Sequence, residues 1–423
     1  MKHNISVIGM GKLGLPMMAV SASKGFKVIG YDTNKSIIDQ FNNNNIPFYE
    51  KNLNEYLVRF KSKISVTTDL SEAINKTDIS FLVLPTPSKK NFEFNNRYLV
   101  NSIKSISKIL SLKKKYHLIV IVSTVMPQTC EKIFINLIEK YSKKKVGKNI
   151  GLAYSPEFIA LGSVIKDMLY PDKIIIGQYD KKSGDMLETY QKQITGSRVK
   201  IFKIGLTEAE IVKICINVFV TNKISYANLL GNICDKIENV NAHTVAKSVG
   251  ADYRIGYDYL KPGTSFGGPC FPRDNRAFIS VLKKYSLKPH IPKAIDLTNN
   301  DQINIILKKI KTRFKNKKIK VSIFGLSYKE NTAVAEDSQG IKLANKLISK
   351  KFKVAVHDPI AIENAKPFLN KKVKIIKSLI TNIKDTDLII IMIPWKQYKN
   401  IKFLSLIKKL NIELIDPWSL SEK

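Results

Sequence analysis

A chain of 423 residues exceeds what one hydrophobic core ordinarily supports, so two or three domains are expected. Its hydrophobic fraction of 44% and charged fraction of 25% are those of a globular protein, and they exclude a disordered polyelectrolyte. The 70 Lys and Arg against 35 Asp and Glu give a formal charge of +35, but the lysines are scattered in short runs such as Lys113-Lys114-Lys115, Lys143-Lys144-Lys145 and Lys317-Lys318. Without a glycine-rich or aromatic-interleaved basic tail, that is a solvated lysine surface rather than a nucleic-acid partner's face, and its field would draw in a phosphate-bearing small substrate.

The N-terminal MKHNISVIGMG runs straight into a strand pattern, with no export signal and no membrane span. Cys130, Cys215, Cys234 and Cys270 lack CxxC pairing and His-rich surroundings, which points away from a metal site or a secreted disulfide framework and toward reduced thiols in a cytoplasm. Apolar runs at 5–9, 27–32, 79–84, 118–123, 150–154 and 173–177 are separated by helix-length segments. Such runs predict a parallel sheet covered on both faces, a doubly wound α/β domain of the Rossmann type over residues 1–200.

The texture changes at Thr207-Glu-Ala-Glu210, whose spacing is that of a capping box opening a helix. No Pro and one Gly, Gly231, interrupt the segment through Asn239, so it predicts either one helix roughly 50 Å long or two helices broken near Gly231. An apolar-faced helix of that length joins domains or pairs with a second subunit. The helical middle is expected over 201–310. Further apolar runs at 320–325, 353–358, 388–393 and 412–416 predict a second, smaller α/β domain over 311–423.

Gly9-x-Gly11-x-x-Gly14 directly follows a predicted strand and opens a helix, the context a dinucleotide fingerprint requires. The first glycine permits the turn, the second lets backbone approach a pyrophosphate, and the third allows close helix–strand packing. The next strand ends in Asp32, where a carboxylate can accept the adenosine ribose hydroxyls and disfavours a 2′-phosphate, so NAD is expected rather than NADP. Pro85-Thr86-Pro87 and Ser123-Thr124 stand at two more strand ends, as turn chemistry or as ligand contacts.

The segment from Pro262 to Asp274 packs three glycines and three prolines around Cys270. Such a loop fixes its backbone and lets a ligand approach main-chain amides. With Arg273 and Asp274 beside it, Cys270 is either an activated thiol or a buried structural cysteine. On the long helix, Lys213 and Asn217 lie four residues apart on one face. They could stabilise an oxyanion formed when a thiolate attacks an aldehyde, or be a snorkelling lysine and a capping-type asparagine.

Taken in this order, Gly9–Gly14, Pro85–Pro87, Ser123–Val125, Ser155-Pro-Glu-Phe158, the Lys213/Asn217 helix, Arg254-Ile-Gly256, Gly267-Gly-Pro-Cys-Phe-Pro-Arg-Asp274 and Phe324-Gly-Leu-Ser-Tyr-Lys329 resemble the UDP-glucose/GDP-mannose dehydrogenase family across nearly the whole chain. The resemblance implies an NAD-dependent oxidation of a nucleotide-sugar primary alcohol to the acid through a Cys270 thiohemiacetal and thioester, most simply UDP-glucose to UDP-glucuronate for a surface polysaccharide. It implies that Lys213 and Asn217 hold the oxyanion, Asp274 assists proton transfer, and Thr124 and Glu157 line the reaction centre, with Thr86 and Thr124 near the cofactor. It places Glu157, Lys213, Tyr259, Leu260, Gly267 and Lys329 at the substrate, the C-terminal domain at the nucleotide, and Arg254 across a homodimer formed through the long helix. No metal, nucleic acid or membrane partner is implied.

Three positions depart from the family pattern. Leu161 stands where many relatives carry a glutamate that activates water or tunes the lysine, Glu336 where an arginine is usual, and Arg273 where a lysine is common. These leave a GDP-hexose, a UDP-N-acetylhexosamine or a catalytically idle nucleotide-sugar-binding homologue as alternatives to UDP-glucose oxidation.

Overall fold

A computed structural model describes residues 3–46, 48–315, 319–379 and 383–422. The Lys317-Lys318 run lies outside the described residues. The chain forms two compact units, Met1–Cys215 and Ile216–Lys423.

The first unit is built on an eight-stranded sheet ordered β3-β2-β1-β4-β5-β6-β7-β8. Its strands are β1 (Ile5–Ile8), β2 (Val28–Tyr31), β3 (Ile64–Thr67), β4 (Ile79–Leu82), β5 (His117–Ile121), β6 (Ile150–Tyr154), β7 (Lys173–Gln178) and β8 (Lys200–Gly205). β1, β4, β5 and β6 are wholly buried and mostly apolar, with the buried Ser6, Ser80 and His117 bonded to one another across them, and both faces of the sheet are covered by helices, one core cluster on each side. The order reverses between β1 and β4, which both leave their carboxyl ends at one edge, the crevice where open α/β sheets take ligands.

The expected all-parallel sheet is corrected at one point. β7 pairs antiparallel with β6, Ala153 opposite Gln178, and β8 then runs parallel to β7. The sheet is mixed because the short helix Val164–Leu169 between β6 and β7 turns the chain at that edge instead of carrying it back across the sheet. β3 and β8 went unanticipated. β3 reads Ile-Ser-Val-Thr with only its first residue buried, and β8 carries a lysine at every third position along an exposed edge, so neither shows a continuous apolar run.

The long helix Leu206–Cys234 is continuous through Gly231, whose missing side chain lets Pro262 approach to 3.1 Å from where a Cβ would sit. It ends five residues before Asn239. The capping box does not form. Glu208 accepts the Gly205 N–H at 2.6 Å, whereas Glu210 turns away to the backbone of Gln128 and Cys130.

In the second unit, the rest of that helix and the helices Ala242–Gly250, Phe271–Lys284 and His290–Phe314 precede a five-stranded parallel sheet ordered β11-β10-β9-β12-β13. Its strands are β9 (Lys320–Phe324), β10 (Lys353–His357), β11 (Lys374–Ile375), β12 (Leu388–Ile391) and β13 (Glu413–Ile415). The fold is thus α/β, with a Rossmann-type N-terminal sheet, a central helical segment and a smaller Rossmann-like C-terminal sheet. Among the described residues no helix is long and apolar enough to cross a membrane, and no group of three His, Cys, Asp or Glu is placed to hold a metal ion. Among the described residues none of the four cysteines is in a disulfide.

Candidate active site

The three fingerprint glycines have separate physical reasons. Gly9 has φ +103, and a Cβ there would lie 2.4 Å from the Val83 carbonyl; one at Gly14 would lie 1.9 Å from the Gly9 carbonyl. At Gly11 nothing stands within 4 Å, so its backbone is open to a ligand. The helix Gly14–Ser23 begins immediately beyond, and its free N–H end favours a phosphate. Asp32, just past β2, accepts the Met10 N–H at 2.9 Å with one oxygen and the Asn34 N–H at 2.9 Å with the other. Its carboxylate thereby stands fixed beside the glycine loop with lone pairs left for ribose hydroxyls, an arrangement that fits NAD.

The loops after β4 and β5 are tied together. Thr86 Oγ1 donates to the Thr124 carbonyl at 2.8 Å, and Ser123 Oγ accepts the Leu84 N–H at 2.9 Å while donating to the Leu84 carbonyl at 2.7 Å. After β6, the half-buried Glu157 offers its backbone carbonyl to Lys213 Nζ at 2.8 Å, and the ammonium sits 4.8 Å from the centre of the Phe158 ring. Burial pushes the Glu157 carboxyl up to about 7, with the Lys213 charge acting against it. Leu161 packs against the core, and the N–H groups on either side of Ser163 are taken by the buried Glu50: Gly162 N at 2.7 Å and Val164 N at 2.9 Å.

In the second unit, Cys270 is exposed and occupies the N-cap of the helix Phe271–Lys284, with Pro272 in its first turn. Free N–H groups at that end favour a thiolate's charge. One turn on, the fully buried Asp274 accepts Asn217 Nδ2 at 2.6 Å on one oxygen and Arg273 Nε and a terminal Arg273 nitrogen, each at 3.0 Å, on the other. Asn and Arg can only donate here, so the carboxylate is bound as an acceptor on both oxygens. Asn217 therefore serves Asp274, a role that its reading as an oxyanion holder did not anticipate.

The loop before Cys270 is pinned from three directions. Asn228 on the long helix donates to the Thr264 carbonyl at 3.1 Å and accepts the Gly263 N–H at 3.0 Å; Asn299 brackets the Phe266 N–H and carbonyl; and Thr264 Oγ1 donates to the Met392 carbonyl beyond β12 at 2.9 Å. A Cβ at Gly267 would strike the Asp337 carbonyl at 2.4 Å, and Gly268 N–H donates to the Glu336 carbonyl at 3.0 Å. The exposed Glu336 thus contributes its backbone, not its charge, to holding the loop. Sequence reasoning missed Asn228 and Asn299, since an asparagine inside a helix carries no signal of its bracket.

The remaining substrate candidates all belong to the second unit. Leu260 is buried, Tyr259 has φ +61 and meets Phe271 edge-on, and Lys329 is half-buried after β9. Arg254 is exposed and forks onto Asp252.

Three family models match in succession: the NAD binding domain of the UDP-glucose/GDP-mannose dehydrogenase family at residues 3–195, its central domain at 207–301 and its UDP binding domain at 322–418. A UDP-glucose 6-dehydrogenase of Haloferax volcanii is 33% identical over 363 residues, covering 85% of this chain and 84% of the relative. A GDP-mannose 6-dehydrogenase of Pseudomonas savastanoi is 31% identical over 402 residues, covering 92% and 90%. Among solved structures, a UDP-glucose dehydrogenase of Pyrobaculum islandicum superposes with a TM-score of 0.91 at 28% identity, covering all of this chain and 96% of its own. With its open Gly11 backbone, fixed Asp32 and pinned cysteine loop, this chain belongs to the UDP-glucose/GDP-mannose dehydrogenase family and is an NAD-dependent nucleotide-sugar dehydrogenase.

Proposed function

We propose that the protein oxidises a UDP-hexose, most simply UDP-glucose to UDP-glucuronate, in two steps through Cys270. The primary alcohol loses a proton and a hydride to become an aldehyde. The Cys270 thiolate adds to the aldehyde carbon, and loss of a second hydride turns the thiohemiacetal into a thioester. Water then releases the acid and restores the thiol. NAD, when bound, accepts one hydride at each oxidation. The observation that carries the reading is the exposed Cys270 at a helix N-terminus, one turn from a buried Asp274 locked by Asn217 and Arg273.

Lys213 is the proposed oxyanion donor, and Asn217 acts through Asp274. With Leu161 in place of the usual glutamate, Glu157 is the better base for the thioester's water: its carboxyl titrates near neutrality, whereas both Asp274 oxygens are already bound. Thr86 and Thr124 frame the cofactor, and Tyr259, Leu260, Gly267 and Lys329 the nucleotide sugar. The long helix exposes an apolar stripe of Phe219, Tyr226, Leu229 and Ile233, at the spacing of one helix face, and we assign it to a homodimer in which Arg254 reaches the partner's substrate. Four cysteines outside any disulfide fit a cytoplasmic setting, and the acid product suits polysaccharide precursor supply.

Glu336 gives weight to a second reading, another nucleotide sugar such as a GDP-hexose or a UDP-N-acetylhexosamine. Mass spectrometry of products after incubation with NAD and a panel of these sugars tests both. UDP-glucuronate with two NADH per sugar is expected, and an acid from a different sugar alone would displace UDP-glucose. Cys270→Ala should form no acid; two NADH per sugar in that variant would refute the covalent route.

A further inference from the structure

Gln128, four residues past Thr124, has φ +72, a conformation that disfavours any residue carrying a Cβ. Its strained N–H is held by a buried carboxylate: Glu210 Oε2 accepts Gln128 N–H at 2.6 Å, and Oε1 accepts Cys130 N–H at 2.8 Å. Burial pushes the Glu210 carboxyl up to about 7. The Cys130 backbone N–H and thiol and the Gln128 N–H act against that shift, while the neighbouring Glu131 charge adds to it. Thr207 Oγ1 makes a second tie, to Glu131 at 2.9 Å.

Glu210 lies three residues before Lys213 on the same helix, so one carboxylate links the segment leaving Thr124 to the helix that carries the lysine. The bracket begins where the chain departs from ordinary helix, since Cys130–Phe134 is a π-helical turn. A capping function for the long helix does not explain it, because Glu208 already takes the Gly205 N–H there. The neighbouring loop repeats the device, with Glu50 bracketing Gly162 and Val164 beyond Glu157.

We propose that Glu210 is a positioning residue for the cofactor site: by clamping the left-handed turn at Gln128 it fixes the height of Thr124 and the Thr86 tie beside the glycine loop. The proposal rests on the reading of Thr124 as a cofactor neighbour. Glu210→Gln keeps the shape but turns one acceptor into a donor facing an N–H, so the turn at Gln128 should relax.

Fluorescence titration with NADH tests this independently of which sugar is turned over. Glu210→Gln is expected to bind NADH about tenfold more weakly. Adding Gln128→Gly, which makes the left-handed turn free of strain, should bring affinity back to within about twofold of the parent. General loss of packing would not be repaired by a glycine, so a double variant as weak as the single one overturns the proposal. Unchanged affinity in Glu210→Gln also overturns it. Should Glu210→Gln fail to fold, Gln128→Val carries the test: with Glu210 in place it raises the strain of the turn and should weaken NADH binding, and no change there counts against the proposal. Thr124→Val separates the two readings. Loss of NADH affinity in Thr124→Val beside an unchanged Glu210→Gln defeats the positioning role alone. Unchanged affinity in Thr124→Val defeats the reading of Thr124 and the proposal with it.

Discussion

Asp274→Asn is a near-isosteric change whose effect follows from the bonds at a fully buried site. The parent carboxylate accepts from Asn217 at 2.6 Å and from Arg273 twice at 3.0 Å. In the variant, one amide oxygen can still accept from Arg273, but the amide nitrogen then faces Asn217 Nδ2, donor against donor. One charge-assisted bond is lost, a buried donor is left unmatched, and Arg273 loses its counter-charge. Such losses sum to about 3 kcal/mol. For a cooperative unit of this size, that is a fall of roughly 6–12 °C in Tm. Differential scanning calorimetry measures it. Combining Asp274→Asn with Asn217→Asp exchanges donor and acceptor across the pair and should recover about half the loss, since only the charge near Arg273 remains displaced. A single variant that melts within about 1 °C of the parent would show that these bonds contribute nothing net, contrary to the usual effect of orphaning a buried donor.

Gly14→Ala places a Cβ 1.9 Å from the Gly9 carbonyl and should disrupt the glycine loop itself, seen as poor folding by circular dichroism. Gly11→Ala meets nothing within 4 Å and should fold normally while losing at least about tenfold in NAD affinity by calorimetric titration; unimpaired binding would remove the pyrophosphate from that position. Glu157 has a carboxyl raised to about 7 in the folded chain, so its stabilising neutral form is fully present below the unfolded value near 4.5 and is lost as pH rises through 7. Glu157→Gln should therefore be the more stable protein at pH 8, by up to about 3 kcal/mol in urea titrations, with the gap closing at pH 4.5. Phe219→Glu with Leu229→Glu should convert a dimer to a monomer in light scattering; a parent that is itself monomeric would remove the helix from any such role.

Much of the fold was legible because its central strands β1, β4, β5 and β6 are buried on both faces and are therefore mostly apolar, their buried Ser6, Ser80 and His117 being tolerated because they hydrogen-bond one another. β8 was not, since an edge strand is free to intersperse lysines among its apolar residues, and the antiparallel turn into β7 depends on how the intervening chain packs rather than on composition. Of the candidate site, Lys213 and Asn217 share a helix face at a spacing any reader can see. Their partners, the Glu157 carbonyl and Asp274, lie 56 and 57 residues away and could not be read from that spacing.

By itself the sequence determined the elements whose physics is local. A glycine pattern after a strand forces a tight turn and a bare backbone, Asp32 stands at the carboxyl end of the next apolar run, and Cys270 falls among residues that fix a loop. Only the tertiary structure decided what the polar side chains do. Thr207 and Glu210 have the spacing of a cap, yet a carboxylate goes to whichever N–H groups are buried and otherwise unmatched, and for Glu210 these lie at Gln128 and Cys130, about eighty residues earlier in the chain. Asn217 and Arg273 likewise serve Asp274 because an ionised group out of water must be surrounded by donors, wherever in the chain they come from.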